Sequence, residues 1–231
     1  MDKYFAKVRY IKVGKISKEM LIRENHSKEQ SAIKKHPVMS AQLSKLGFIG
    51  DEQGDTQHHG GENKAVLFFS SITYNKLNIL KNTNFEFNDM SYFGENLLVS
   101  HAYEENVCIG DVLQINDTII EITQPRQPCW KLSFNTNINS LTKSMYEYGF
   151  TGWYGKVLQE GTINQDDIVL LKKRVFPDLT INLLNQLIIN PKTNPGLVEK
   201  ALSCKSLGKA FKLSLEKRYT DDSFEHLSYQ K

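Results

Sequence analysis

Residues 106–123, NVCIGDVLQINDTIIEIT, constrain the fold more than any other stretch of the chain. Their β-branched and apolar content would suit one long strand, but Gly110-Asp111 and Asn116-Asp117 cut it into short consecutive pieces. Strands that follow one another across tight turns pair as antiparallel neighbours. The stretch therefore favours a meandering sheet or barrel over βαβ units. Similar runs recur in AVLFF (65–69), NLLVS (96–100), GWYGKVLQ (152–159) and DIVLLKK (167–173). One helix is expected over SSITYNKLNILK (70–81), where Ile72, Lys76 and Ile79 alternate with Leu77 and Leu80 at helical spacing.

The chain changes character after Pro177. Leu183, Leu184, Leu187 and Ile188 mark one apolar helical face. Asn194-Pro195 announces a second helix, a capping residue followed by proline at the first helical position, with Leu197, Val198, Ala201 and Leu202 behind it. Beyond Gly208, Phe211, Leu215 and Tyr219 recur every four residues. The expected organisation is a mainly β domain over 1–176 and a small three-helix module over 177–231, too short to stand as an independent fold. The polar end TDDSFEHLSYQK is expected to be loosely held.

Composition excludes several functions. A net charge of +3 over 231 residues predicts neither a nucleic-acid nor a membrane partner. No apolar run approaches the length of a bilayer span, and the start MDKYFAKVRYIKVGK lacks the apolar stretch of a secretion signal, so a cytoplasmic home is expected. The three cysteines, Cys108, Cys129 and Cys204, match no zinc-site or CxxC spacing, and their odd number argues against a disulfide framework. Any cysteine function here is a solo one.

Four segments concentrate unusual residues: SAIKKHPV (31–38), GDEQGDTQHHGGENKAV (50–66), FGENL (93–97) and PRQPCWKL (125–132). In HHGG, Gly60 and Gly61 let the backbone approach a ligand, or they form a plain turn with His58 and His59 in water. Asn96 can read the edge of a heterocycle, or FGENL is an ordinary turn with Glu95 solvated. Lys34 and Lys35 can neutralise a phosphate or be a solvated pair, and Asp51 and Asp55 can satisfy loop amides. Pro125 and Pro128 stiffen the approach to Cys129, and Arg126 offers a planar cationic fork that favours a nearby thiolate. Spacing alone leaves Cys129 either a soft metal ligand or a small hydrophobe beside Trp130 and Leu132.

In their order, GDEQGD…HHGGENKAV, FGENL, IGD (109–111) and PRQPCWKL resemble the MOSC-domain family, named for the C-terminal domain of molybdenum cofactor sulfurases. GWYGKVL and the three terminal helices point to its stand-alone bacterial YiiM-like branch, and the resemblance covers nearly the whole chain. It implies a β-barrel domain binding molybdenum cofactor, with Cys129 as the protein ligand to molybdenum and the catalytic residue. It further implies that Lys35 and Arg126 meet the cofactor as cations, that His59, Gly60 and Gly61 form the cofactor loop, and that Asn96 approaches the pterin. The implied activity is reduction of small N-hydroxylated compounds, such as hydroxylaminopurines, to the parent amine. An external reductase supplies electrons, because no flavin, haem or iron–sulfur signature is present. A cofactor or sulfur carrier using Cys129 without turnover is the alternative. Pyridoxal phosphate is not expected, since nothing resembles the separate domain that holds it in full-length sulfurases. The terminal helices can cover a barrel edge, which is the expectation, form a homodimer contact, or dock the electron donor. Two departures stand out. Lys156 replaces the family's usual arginine, losing the bidentate fork, and Gln165-Asp166 stands where Gly-Asp is usual before the last strand.

Overall fold

The structure is a computed structural model that describes residues 3–17, 21–22, 28–54 and 60–220. In chain order its strands are β1 (Lys3–Val13), β2 (Leu21–Ile22), β3 (Lys28–Glu29), β4 (His36–Val38), β5 (Ser40–Ser44), β6 (Gly47–Phe48), β7 (Val66–Ser70) and β8 (Leu97–Ser100). The second half adds β9 (Val112–Ile115), β10 (Thr118–Pro125), β11 (Trp153–Gln159), β12 (Gly161–Asn164) and β13 (Ile168–Lys173). The helices are α1 (Ser71–Lys81), α2 (Lys131–Thr136), α3 (Leu141–Glu147), α4 (Ile181–Ile189), α5 (Pro195–Ser203) and α6 (Lys209–Thr220).

Seven strands close into a barrel in the order β13-β9-β10-β11-β7-β8-β1, with β1 pairing back onto β13 and β4 appended to β1. All neighbours are antiparallel except β7 and β8, which run parallel with Phe68 opposite Leu97. A parallel pair needs a crossover, and α1 with residues 82–96 supplies it. Hairpin β9–β10 is the meander expected from the Asn116-Asp117 punctuation, with Asn116 in the left-handed region at φ 52°. The expected strand over 106–109 is replaced by a turn. Gly110 takes φ 76°, and the Asp111 amide donates to Cys108 O at 3.2 Å. Cys108 keeps only a single bridge, to Thr180.

The barrel interior is filled by Ala6, Val8, Val66, Phe68, Val99, Leu113, Ile115, Ile120, Ile122, Trp153 and Val169, all buried. Leu184, Leu187, Ile188, Val198, Ala201, Phe211 and Leu215 of the terminal helices belong to the same apolar cluster. The expected cap at Asn194 is present, its side chain accepting from the Leu197 amide with Pro195 opening α5. A second cluster outside the barrel joins Phe69, Tyr74, Leu77, Phe85, Phe93 and Leu98 to Leu132, Leu141 and Met145. Helices α2 and α3, which the sequence reading did not anticipate, pack there and fix the chain just beyond Cys129.

Candidate functional site

Strand β10 ends at Pro125, opposite Trp153, where a missing backbone donor costs least. The next amide, Arg126 N, still donates to Gly152 O at 3.1 Å, so Arg126 leaves the barrel at a fixed position. Downstream, Cys129 O accepts from the Leu132 amide at 3.1 Å and from Thr142 Oγ1 at 3.1 Å, tying the segment to α2 and α3. Cys129 is thus held at both ends, as its proline frame suggests. It is the half-buried one of the three free cysteines, while Cys108 and Cys204 are buried in the core. Burial, with Asp111 adding to it, pushes the Cys108 thiol up to about 11, which keeps it inert.

Cys129 opens onto a cleft whose empty space, roughly 600 Å³, includes the open solvent at its mouth. Leu67, Phe93 and Tyr154 form an apolar wall, Lys35, Asn96, Arg126 and Lys131 a polar floor, and residues 30–33 with 52–54 the opposite lip. Burial pushes the Tyr154 phenol up, and the nearby Arg126 charge draws it partly back.

Arg126 carries the strongest chemical signal. It is 4% exposed, yet its Nε and Nη1 have no hydrogen-bond partner among the described residues. Buried donors are almost always paired, and a buried guanidinium with two open donors suits an anion that the chain itself does not provide. Lys64 lies over the Tyr154 ring at 5.8 Å and lines the same cleft. Lys131 is buried and donates to Gln30 O at 2.8 Å, which ties α2 to the lip.

Lys35, read with Lys34 as one of a pair, separates from it: Lys34 is exposed and Lys35 is 5% exposed. Its ammonium donates to Asp51 Oδ2 at 2.5 Å. Burial draws the Lys35 ammonium below the usual lysine range, and the Asp51 carboxylate opposes that. Asp51 does satisfy a loop amide, since its Oδ1 accepts from Gly14 N at 2.9 Å. Asn96 donates from Nδ2 to Asp51 Oδ2 at 2.9 Å and to Lys12 O at 3.2 Å, and its Oδ1 accepts from Leu67 N at 3.2 Å. It lines the cleft with both amide hydrogens already engaged, so only lone pairs on its carbonyl oxygen are open to a ligand.

Glu95 is not in water: it is fully buried, pairs with Lys12 Nζ at 2.8 Å, and accepts from Tyr74 OH at 2.7 Å. Gly94, at φ 79°, makes the turn that sends Glu95 inward while Phe93 faces the second cluster. Gly60 and Gly61 line an adjoining hollow with Gln124, Lys209, Ala210 and Leu213, and Lys64 borders both spaces. His58, His59 and Asp55 lie outside the described residues. Lys156 pairs with Glu62 at 3.1 Å. Asp51, Tyr154 and Lys131 join the site through the fold. Lys131 stands inside PRQPCWKL and Tyr154 inside GWYGKVL, so proximity to the thiol in one case and strand pairing to β10 in the other are the available signals in the sequence.

Comparison with known proteins gives a consistent picture. A family model described as MOSC domain matches residues 55–170. YflK of Bacillus subtilis (strain 168) is 30% identical over 204 residues, 88% of this chain and 91% of that protein. A protein named Reductase from Gibberella moniliformis is 31% identical over 139 residues, 60% of this chain but 25% of its own length. The crystal structure of YiiM from Geobacillus stearothermophilus superposes with a TM-score of 0.76 at 25% identity, covering 93% of this chain and all of that one (100%).

Proposed function

The chain belongs to the MOSC domain family, and from that premise we propose that its cleft holds a molybdenum cofactor and reduces small N-hydroxylated compounds. Family membership ties the chain to molybdenum-cofactor-related function, and the relative named Reductase hints at redox catalysis. The observation that carries the finer reading is the meeting, in one cleft, of a single half-buried thiol and a buried guanidinium with two unpaired donors. A soft sulfur donor beside a buried guanidinium with two donors unpaired among the described residues fits a group that is both metal-bearing and anionic.

Cys129 is the residue that would ligate the metal. Arg126 would offer Nε and Nη1 to the anionic part of the group, with Lys35 as a second cation. Gly60 and Gly61, with His59 before them, would form the loop beside it. When bound, the group supplies two-electron chemistry: R–NHOH, two electrons and two protons give R–NH2 and water, the electrons coming from an external reductase. Leu67, Phe93 and Tyr154 give the cleft an apolar wall, which suits a ring. Residues 124–129 keep the thiol from wandering, because proline restricts the backbone on both sides of Arg126. No helix among the described residues is long and apolar enough to cross a membrane. A cytoplasmic setting, a small-molecule substrate and an electron-donating protein complete the proposal.

The test is metal analysis of protein expressed with a working cofactor pathway, followed by reduction of a hydroxylaminopurine with an artificial reductant. Stoichiometric molybdenum on the parent and its loss with turnover in Cys129→Ser are expected. Equal molybdenum in both, or normal reduction by Cys129→Ser, sinks the proposal. Molybdenum without turnover under any donor favours the carrier reading instead.

A further inference from the structure

Asp51 receives three donors, and they come from three separately folded segments. Gly14 N follows β1, Lys35 Nζ precedes β4, and Asn96 Nδ2 precedes β8, while Asp51 itself follows β6. The carboxylate is 5% exposed. We propose that Asp51 is the positioning residue of this cleft: it fixes the Lys35 ammonium and the Asn96 carboxamide side by side on the floor, so that a charged, pre-aimed lysine meets the anionic part of the cofactor. This rests on the cofactor reading above.

The geometry around Lys35 leaves its ammonium little freedom. Its backbone is held at both polar atoms by one residue, with Lys35 N donating to Ser91 Oγ at 2.9 Å and Ser91 N donating to Lys35 O at 2.8 Å. Gly14 presses against the same backbone. A Cβ there would stand 2.7 Å from Lys34 O and 3.0 Å from Lys35 Cα, so only glycine lets the amide that holds Asp51 come so near. Fixed at its backbone and at its tip, the side chain spans the floor in one direction.

Charge makes Asp51 more than a spacer. Burial disfavours the charged form of a lysine this deep, and Asp51 is the main opposition, with Glu95 a smaller one that Lys12 already neutralises. Asp51 also survives a change of partner. If an anion draws Lys35 toward itself, the carboxylate keeps Gly14 N and Asn96 Nδ2. It need not become an unpaired buried charge, the outcome that makes most such exchanges unfavourable.

The experiment reads Lys35 directly in the full chain, without cofactor. Competitive acetylation across a pH series, quantified by peptide mass spectrometry, gives the midpoint at which each lysine amine becomes reactive. In Asp51→Asn the counter-charge is gone while burial stays, so the Lys35 midpoint falls by about one unit or more, a roughly tenfold gain in reactivity at a given pH. Exposed Lys34 is the internal reference and does not move. An unshifted Lys35 profile in folded Asp51→Asn overturns the proposal. If Asp51→Asn does not fold, Lys35→Met with and without Asp51→Asn decides. Removing the lysine removes the need for its counter-charge, so the double variant is expected to fold as Lys35→Met does. A double variant that fails where Lys35→Met folds makes Asp51 a holder of loops and overturns its positioning role. Because Lys35 is read without cofactor, absence of molybdenum on the parent protein defeats the cofactor reading alone.

Discussion

Arg126 is stabilised poorly by the protein around it. A guanidinium at 4% exposure with Nε and Nη1 unpaired is an unfavourable burial, retained where a partner arrives from outside. Replacing it with a flat-volume apolar side chain should therefore raise the stability of the protein free of ligand. Arg126→Met is expected to gain about 1–3 kcal/mol in unfolding free energy while losing bound molybdenum. Paired chemical denaturation and metal analysis check this, and a variant that is both less stable and fully loaded would contradict it. The cysteine and arginine were legible because PRQPC brings them within three residues of one another. Asp51 was readable only as a loop-amide acceptor, since its partners Lys35 and Asn96 stand 16 and 45 residues away and meet through the fold alone.

Among the elements, the turn at 93–96 shows how a cleft wall is anchored from behind. Asn96 borders the cleft and Phe93 backs its wall from the second cluster, and between them Glu95 goes down to Lys12 and Tyr74, with Glu95, Lys12 and Tyr74 all fully buried. The pair links that turn to the C-terminal end of β1, so its loss should loosen the wall and the barrel together. Glu95→Gln leaves the Lys12 charge buried without a counter-ion and is expected to cost about 3–5 kcal/mol, with recovery when Lys12→Met is added. Denaturant midpoints of the four proteins measure it, and a Glu95→Gln change within about 0.5 kcal/mol would contradict it. Lys12 also makes β1 hard to read from sequence. Its KYFAKVRYIKV alternates unevenly and carries charges at Lys7, Arg9 and Lys12, the last of which points inward only because Glu95 awaits it. The strands with clean β-branched runs were legible, as was α1. Helices α2 and α3 were not, because KLSFNT and LTKSMYE are too short to show a period.

At the scale of the molecule, the terminal helices and the barrel bury their apolar faces in one another. Phe211 and Leu215 of α6 and Leu184 and Leu187 of α4 share a cluster with Ile120, Ile122 and Val157. Polar contacts reinforce it, with Ser206 Oγ donating to Glu121 Oε1 at 2.6 Å and Gly208 N donating to Thr123 O at 3.0 Å. We propose that the division between 1–176 and 177–231 is one of architecture and not of independent folding. Removing residues 178–231 should then yield a chain that is aggregated or lacks a cooperative melt, as followed by size exclusion and circular dichroism. A truncated chain that melts sharply as a monomer would show that the barrel stands alone. The terminal apolar periods were legible in the sequence, but which surface they would cover was not, since period fixes a helix face and says nothing of its destination.

The two sides of the cleft are built on different foundations. The thiol side continues a strand of a closed barrel, from β10 through Pro125 to Cys129, whereas the lip at 30–33 and 52–54 hangs from the excursion between β1 and β7. Selection can thus act on the lip with little penalty to folding, while almost any change near the thiol is felt by the whole barrel. Relatives with the same chemistry would then diverge in diet first at the lip, and the thiol side would be the part of their ancestry that they still share.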